Sequence, residues 1–521
     1  MAEATLKDLA RQNVNAIHFS PPDLSMMIGP TMTSPLLPEL PGQSVPEASD
    51  ETNHPLTASS PAVGTSRELF GGVELRRYLV WFGIATAAIT SVWGGVTGII
   101  LPNHVQLLEF GRIFTGVDSR LDLVALTELK NAVKAGTTTP TTEQIRQLGL
   151  LKEFEAARAQ GLAIVGTVGT VLTMIAQPII GVLSDRTRSS YGRRTPWILL
   201  GGLAGAFFLA AIRFSPSIAV LVILFALMSI TLNSASGPLT ATIADRVTTS
   251  KRGTASAVGG LGNFAGGVIG AIIAGATFAA IGINSYFVIA GLVAVGVVGF
   301  YRFAKDESSR GLPRPSGNWA SVFRGFATPL RSSDFRWVWL ARLLLTFGYS
   351  ITTALNLFML QSYVKPALSA SAATALVPLL TVIGLPFTVA GLVIAGRLSD
   401  KIGRRKPFVI AASALMAVAF VVPAVWPAVP ALMITGAIGG LAFGAYLSVD
   451  QALFIDVLPD PESAGRDLGV AAVGSNLGQA LGPILAAQVV VITGGYQAIW
   501  LIALVLVGIA AVAIIPVKGA R

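Results

Sequence analysis

The sequence predicts an all-α integral membrane protein with twelve transmembrane helices in two pseudo-symmetric six-helix bundles. Three observations carry that expectation. The 521 residues are 53% hydrophobic and only 12% charged, about half the charge of an ordinary soluble chain, so a soluble fold could not cover its own surface. Twelve windows are apolar for long enough to cross a hydrocarbon core of about 30 Å as helices. The two halves of the chain also repeat one another at a nearly constant offset.

Residues 1–76 precede the first window. Stretches such as "SPPDLSMMIGPTMTSPLLPELPGQ" are rich in Pro, Ser and Thr and have no apolar period, which predicts a disordered cytoplasmic tail. No basic run leads into an apolar stretch there, which argues against a secretory signal peptide. The first apolar helix is then the expected insertion signal.

Six windows follow, near 78–101, 161–183, 197–214, 217–244, 254–278 and 282–302, forming a bundle over 77–302. A linker over 303–335 leads to a second bundle over 336–515. Its windows lie near 336–362, 370–396, 407–424, 428–455, 468–492 and 496–515, and residues 516–521 form a short cytoplasmic tail. Glycine is frequent inside the windows, as in membrane helices that pack backbone to backbone.

Orientation follows from the basic residues. With the N-terminus cytoplasmic, the inside segments hold 27 of the 37 Lys and Arg residues, while the turns near 279–284, 423–430 and 493–495 hold none. Both termini are therefore expected in the cytoplasm, and the chain is expected as a multi-pass protein of the cell (plasma or inner) membrane. Only the first outside loop, 103–160, is long. There Thr139 is the expected cap of a helix beginning at Pro140, with Ile145, Leu148 and Phe154 on one face.

Composition also excludes functions. There is no cysteine and only three histidines, so disulfides, thiolate metal sites and a His-based centre are not expected. The net charge of +10 is spread over short turns rather than gathered on one patch, which argues against nucleic acid. No phosphate-binding G-x-x-x-x-G-K-[ST] run occurs, so ATP is not the expected driving force. No clustered catalytic set points to an enzyme, and neither cofactor nor metal is expected. The expected partners are the bilayer, a small polar organic solute such as a sugar, and protons, with the chain acting as a monomer.

The repeat is clearest in "GVLSDRTRSSYGRRTPWILLGG" (181–202) and "GRLSDKIGRRKPFVIAA" (396–412). Asp185 and Asp400 lie 215 positions apart, Asp245 and Asp456 lie 211 apart, and Asn263 and Asn476 lie 213 apart. A constant offset across several spans marks a duplicated six-helix unit. Two such bundles suit rocking about a central substrate site. Arginines in these loops hold the topology, but they do not explain an aspartate repeated in both. A carboxylate at a helix end can bind the positive N-terminus of a helix in the other half, which would make it a gate latch.

The pattern G-x-L-x-D-x-x-G-R-R between the second and third spans resembles the signature loop of the major facilitator superfamily. The likeness covers about residues 77–515. In that family the loop aspartate caps a helix across the interface between halves, which implies this role for Asp185 and Asp400 toward the starts of the eleventh and fifth spans, near Gly469 and Thr254. The rest of the gate loops would be Arg186, Gly192, Arg193 and Arg194 in one copy, with Gly403, Arg404 and Arg405 in the other. Six residues separate Asp185 from Gly192, against two between Asp400 and Gly403. The longer form is similar to the sucrose/proton symporters and the glycoside–pentoside–hexuronide symporters. "NSASGPLTATIAD" (233–245) resembles the fourth span of the sucrose group. This chain departs from the coupling residues of those branches. Thr240 and about Ser229 stand at the sucrose group's Arg and Asp, and Ala176 and Gln177 replace the carboxylates of the glycoside group.

Ionisable residues inside spans are costly and point to function. Arg342 lies six residues into the seventh span, and Asp450 lies six before Asp456, so both sit roughly 9 Å from the cytoplasmic ends. Their matched depth predicts an ion pair, with snorkelling of Arg342 as the structural alternative. As a functional pair, Asp450 would carry a proton, held ionised by Arg342 until substrate or movement separates them. Neutral polar candidates for a hydroxyl-rich ligand are Trp93, Gln177, Asn233, Asn263, Tyr349, Asn356, Gln451, Asn476 and Gln479. The expected function is proton-coupled uptake of a sugar or glycoside by alternating access. The competing expectation is a proton-coupled exporter of drugs or metabolites with the same fold. Such exporters carry a Gly-Pro element in the fifth span, where this chain has no proline.

Overall fold

A computed structural model describes residues 72–311, 328–458 and 464–518, with the side chains of 464–466 and 468 left aside. All of these fall in one compact unit, Pro61–Arg521. Residues 1–71 of the expected tail and 312–327 of the expected linker lie outside the described residues.

The spans of the first half are Gly72–Ile113, Thr142–Arg186, Thr195–Ile212, Ile218–Arg246, and the pair Thr249–Ile281 and Ser285–Phe303. That pair turns at Gly282, whose φ of +59° suits a residue without a Cβ. The second half opens with Ser333–Thr353, bent by 46° into the short Asn356–Ser362. Ala370–Ile402, Lys406–Val425, Val429–Asp456, Ala464–Thr493 and Gln497–Ala513 follow. Among the described residues nine helical segments are long and apolar enough to cross a membrane, ten with the bent pair; dividing Thr249–Phe303 at Gly282 and adding the shorter Gln497–Ala513 matches the twelve windows of the hydropathy.

Glycine sets how closely the spans meet. The first span passes through nine π-helical residues, Val92–Ile100, against the fifth. A Cβ on Gly266 or Gly270 would collide with the carbonyls of Ala87 and Ser91. The two backbones touch without intervening side chains, the small-residue contact by which membrane helices associate. Each half packs mainly within itself. The halves meet where the second span packs on the eleventh and the fifth on the eighth.

Several boundaries differ from the sequence-based expectation. The first helix already begins at Gly72 and continues to Ile113, and the second begins at Thr142. This narrows the expected 103–160 loop and takes five residues from the expected tail. The cap of the second span is Thr141 rather than Thr139. Its hydroxyl accepts from the Gln144 amide at 3.3 Å, and the Gln144 side chain accepts from the Thr141 amide at 2.9 Å. That reciprocal capping box satisfies two amides and outweighs a proline at the first helical position. The loop also holds a helix absent from the sequence reading, Leu123–Lys134, capped by Asp122 at 2.8 Å from the Val124 amide. Its Leu126 joins Ile113, Phe114, Leu151 and Phe154 in a small apolar cluster with Leu148 against it. Ile145, expected on the same face, is 58% exposed.

Candidate functional site

The seventh and tenth spans bring Arg342 and Asp450 together. Both are buried, 7% and 4% exposed. Arg342 donates to Asp450 Oδ2 from Nε at 2.7 Å and again from Nη2. Nη2 also reaches Gln451 Oε1 at 3.3 Å, and the guanidinium lies 4.0 Å from the centre of the Phe454 ring. The ion pair is therefore present, and Arg342 is turned inward rather than snorkelling. A charge-assisted pair of this kind holds its geometry well.

Seven residues further along each helix, roughly 10 Å from the pair, Tyr349 and Phe443 stack at 4.5 Å between centroids. They form one wall of a cavity of about 440 Å³. Phe420 and Trp500 form another, with ring centroids 6.0 Å apart, and Phe264 approaches from the first half. Asn356, the threonines 352, 353, 381, 388 and 435, Tyr349 and Trp500 supply its polar groups, with Trp500 Nε1 buried and without a hydrogen-bond partner among the described residues, and none of the lining residues is charged. The threonine hydroxyls donate to carbonyls of their own helices, Thr352 to Tyr349 at 2.8 Å, Thr388 to Gly384 at 2.9 Å and Thr435 to Ala431 at 2.8 Å among them. Their protons are thereby committed, and only lone pairs remain to accept from a ligand. Aromatic faces with hydroxyl acceptors suit a neutral solute that combines an apolar face with O–H donors.

Of the neutral polar candidates, Tyr349 and Asn356 line this cavity and Gln451 joins the ion pair. The other six do not line it. Trp93 is 38% exposed beside the lining Gly94. Asn263 accepts from Thr90 at 2.9 Å, Asn233 donates to the Ser229 carbonyl at 2.8 Å, and Gln479 donates to that of Ser475 at 3.4 Å. Gln177 is exposed and Asn476 half-buried.

The two repeated loops share one construction on the face that carries them. Arg194 bonds Ser184 Oγ at 2.6 Å, Asp185 at 2.5 Å and Asp245 at 3.0 Å, while Arg193 bonds Asp245 at 2.9 Å. In the second copy Arg405 bonds Asp456 at 2.6 Å. Asp245 and Asp456 therefore tie each loop to the end of its fourth or tenth span. Their common offset was visible in the sequence, but their partners were not. Gly192 adopts φ +89°, where a Cβ would run into the Asp306 carboxylate, and Gly403 caps the eighth span at φ +67°. Arg186 is half-buried and Arg404 exposed. Asp185 is 46% exposed at its side chain and bonds within its own loop, and Asp400 and Thr254 are exposed. Neither aspartate bonds across the halves among the described residues.

The opposite face is joined. Asn103 Nδ2 donates to Thr374 Oγ1 at 3.0 Å, and Glu128 of the loop helix accepts from the Ala367 amide at 2.7 Å. Arg158, which the sequence shows only as one of seven basic residues in a long loop, is 2% exposed and reaches Gln361 and Ser362 of the second half. No spacing in the sequence separates it from its solvated neighbours, because its partners are some 200 residues away.

A sequence profile described as MFS/sugar transport protein matches residues 155–516. The chain belongs to that family. This transporter is 34% identical over 110 residues to the general alpha-glucoside permease of Schizosaccharomyces pombe, a match spanning 20% of this chain and 18% of that one. It is 28% identical over 151 residues to the sucrose transport protein SUC3 of Arabidopsis thaliana, spanning 25% and 24%. The transporter thus matches under a quarter of the length of either relative. Its fold superimposes on the nucleoside transporter NupG with a TM-score of 0.61 at 13% identity, covering 84% of this chain and 98% of that one. Twelve spans in this arrangement are the major facilitator fold, and the chain is a multi-pass membrane protein of this family.

Proposed function

We propose that this transporter takes up a neutral sugar or glycoside by alternating access, coupled to protons. The observation that carries the substrate class is the uncharged cavity of about 440 Å³, walled by Tyr349, Phe443, Phe420 and Trp500 and edged by threonine oxygens. Aromatic rings stack on the apolar faces of sugar rings, and the threonines accept from sugar hydroxyls. An organic anion or cation would find no counter-charge among the lining residues. The names of the two partial relatives, an alpha-glucoside permease and a sucrose transport protein, support the same class.

The arginine-rich loops mark the cytoplasmic face by the positive-inside rule, with both termini on that side and the plasma or inner membrane as location. The opposite face is joined through Asn103, Glu128 and Arg158, so in this reading the outer gate is closed. Asp185 and Asp400 would meet the starts of the eleventh and fifth spans when the cytoplasmic face closes. Asp450 is the proton carrier of this reading, and Arg342 is its counter-charge. A single chain holds both bundles and the cavity, so the working unit is a monomer.

The test is uptake by proteoliposomes across a panel of disaccharides, hexoses and aryl glucosides, with and without an inward proton gradient. Accumulation of at least one neutral sugar, raised by the gradient, is expected. Transport of none of them, with export of a hydrophobic cation instead, would overturn the reading.

A further inference from the structure

Arg158 lies on the second span and is 2% exposed. Among the described residues no carboxylate lies within ion-pair distance of it. Its hydrogen-bond acceptors are all neutral. Gln106 Oε1 at 3.1 Å belongs to its own half. Gln361 Oε1 at 2.7 Å, Ser362 Oγ at 2.6 Å and the Tyr496 hydroxyl at 3.4 Å belong to the other. Its guanidinium also lies near two aromatic rings, 5.0 Å from the centre of Phe154 in one half and 4.5 Å from that of Phe358 in the other.

The partners sit on elements that must move if the halves part. Gln361 and Ser362 end the short helix beyond the bend of the seventh span, and Tyr496 opens the twelfth. A second cavity of about 200 Å³ adjoins Arg158, and its wall includes Asp122 and Thr127 of the outside loop helix. That helix reaches the second half independently, through Glu128 and the Ala367 amide.

We propose that Arg158 is the releasable bolt of the outer gate, closing it through neutral partners so that it can reopen. The proposal rests on the alternating-access reading above. Charge-assisted hydrogen bonds are about twice as strong as neutral ones, and a desolvated guanidinium gains further from aromatic faces. The bolt therefore orders the outer ends when they meet. Burying a cation with no carboxylate in ion-pair contact leaves its desolvation only partly offset, and opening returns Arg158 to water. A carboxylate in place of Gln361 would remove that incentive and hold the gate shut.

The chain has no cysteine, so spin labels can be placed without background. One pair, Phe214→Cys with Val425→Cys, reports the outer separation from two exposed positions. A second, Ser250→Cys with Lys401→Cys, reports the cytoplasmic separation, again from exposed positions. Distances are measured on the full chain in liposomes, with no added solute, with and without a proton gradient. Arg158→Met is expected to raise the ratio of outward-open to outward-closed molecules by about tenfold or more. The near-isosteric Gln361→Glu is expected to lower it by about tenfold and to slow exchange. Ser362→Ala removes one crossing bond while leaving Arg158 in place, and should shift the ratio in the direction of Arg158→Met even if that variant does not fold. Wild-type distances that switch, with a ratio the variants leave unchanged or move in one common direction, would overturn the bolt alone. Wild-type distances fixed at both faces under every condition would overturn alternating access and the bolt with it.

Discussion

Replacing Asp450 by Asn tests the ion pair in energy and in function at once. Asparagine keeps an oxygen facing Arg342, so the 2.7 Å contact and the Gln451 contact can survive. What is lost is the counter-charge. Two unit charges about 4 Å apart at an effective dielectric of 20 attract by about 4 kcal/mol, and removing one partner of a buried pair typically costs about 3–5 kcal/mol. The Phe454 face beneath the guanidinium is present with either residue and so leaves the difference unchanged. The expected loss is therefore about 3–5 kcal/mol, read as a lower unfolding midpoint of the detergent-solubilised protein in a denaturant titration. Arg342→Met combined with Asp450→Leu removes both desolvation costs and should stay within about 1 kcal/mol of wild type. In proteoliposomes both variants should exchange sugar across the membrane yet fail to concentrate it under a proton gradient. Asp450→Asn that is as stable as wild type and accumulates sugar to the same level would refute both the electrostatic reasoning and the coupling role.

Three further outcomes follow from other contacts. Gly270→Ala would drive a Cβ into the Ser91 carbonyl and should cost at least about 3 kcal/mol by separating the first and fifth spans. Gly260→Ala, with nothing within 4 Å of its Cβ, should fold normally, and thermal unfolding of the purified pair decides. Gly436 lines the cavity, and its Cβ would meet only the Leu380 carbonyl at 3.7 Å. Gly436→Phe should therefore block binding of sugars while leaving the unfolding midpoint near wild type, as measured by equilibrium binding of radiolabelled substrate. Burial holds the Asp306 carboxyl above the ordinary carboxylate range despite the nearby Arg246. A raised folded-state value means that the folded protein binds the proton more tightly, so its contribution to stability is lost as pH rises through that raised value. Asp306→Asn should remove this loss, giving a midpoint that falls less than wild type between acid and neutral pH. An unchanged pH profile would count against the assignment.

Much of the fold can be read directly from residue order. The twelve apolar windows, the repeat offset and the paired S-D…G-R-R loops need only hydropathy and spacing, because a helix in lipid must satisfy its own backbone and must be long enough to cross. The Arg342–Asp450 pair was equally legible, since two lone charges at matched depth in apolar helices have few other partners. Tyr349 and Asn356 fall on the cavity. The neighbouring threonines do not stand out in the sequence, because a hydroxyl bonded to its own helix looks the same wherever that helix faces. Thr141 displaced Thr139 as a cap because the reciprocal bond to Gln144 depends on side-chain geometry rather than on the proline alone.

The sequence by itself determined which segments cross the membrane, how the chain divides into two copies, and which few charges lie within the spans. These are local properties of composition and order. The tertiary structure alone decided which polar residues meet. It gathered an uncharged cavity mostly from the second half, tied Asp245 and Asp456 to the loop arginines, and buried Arg158 among neutral groups of the other bundle. Such contacts join residues from about 50 to more than 300 positions apart, and their energies depend on desolvation and geometry that exist only once the two bundles have packed.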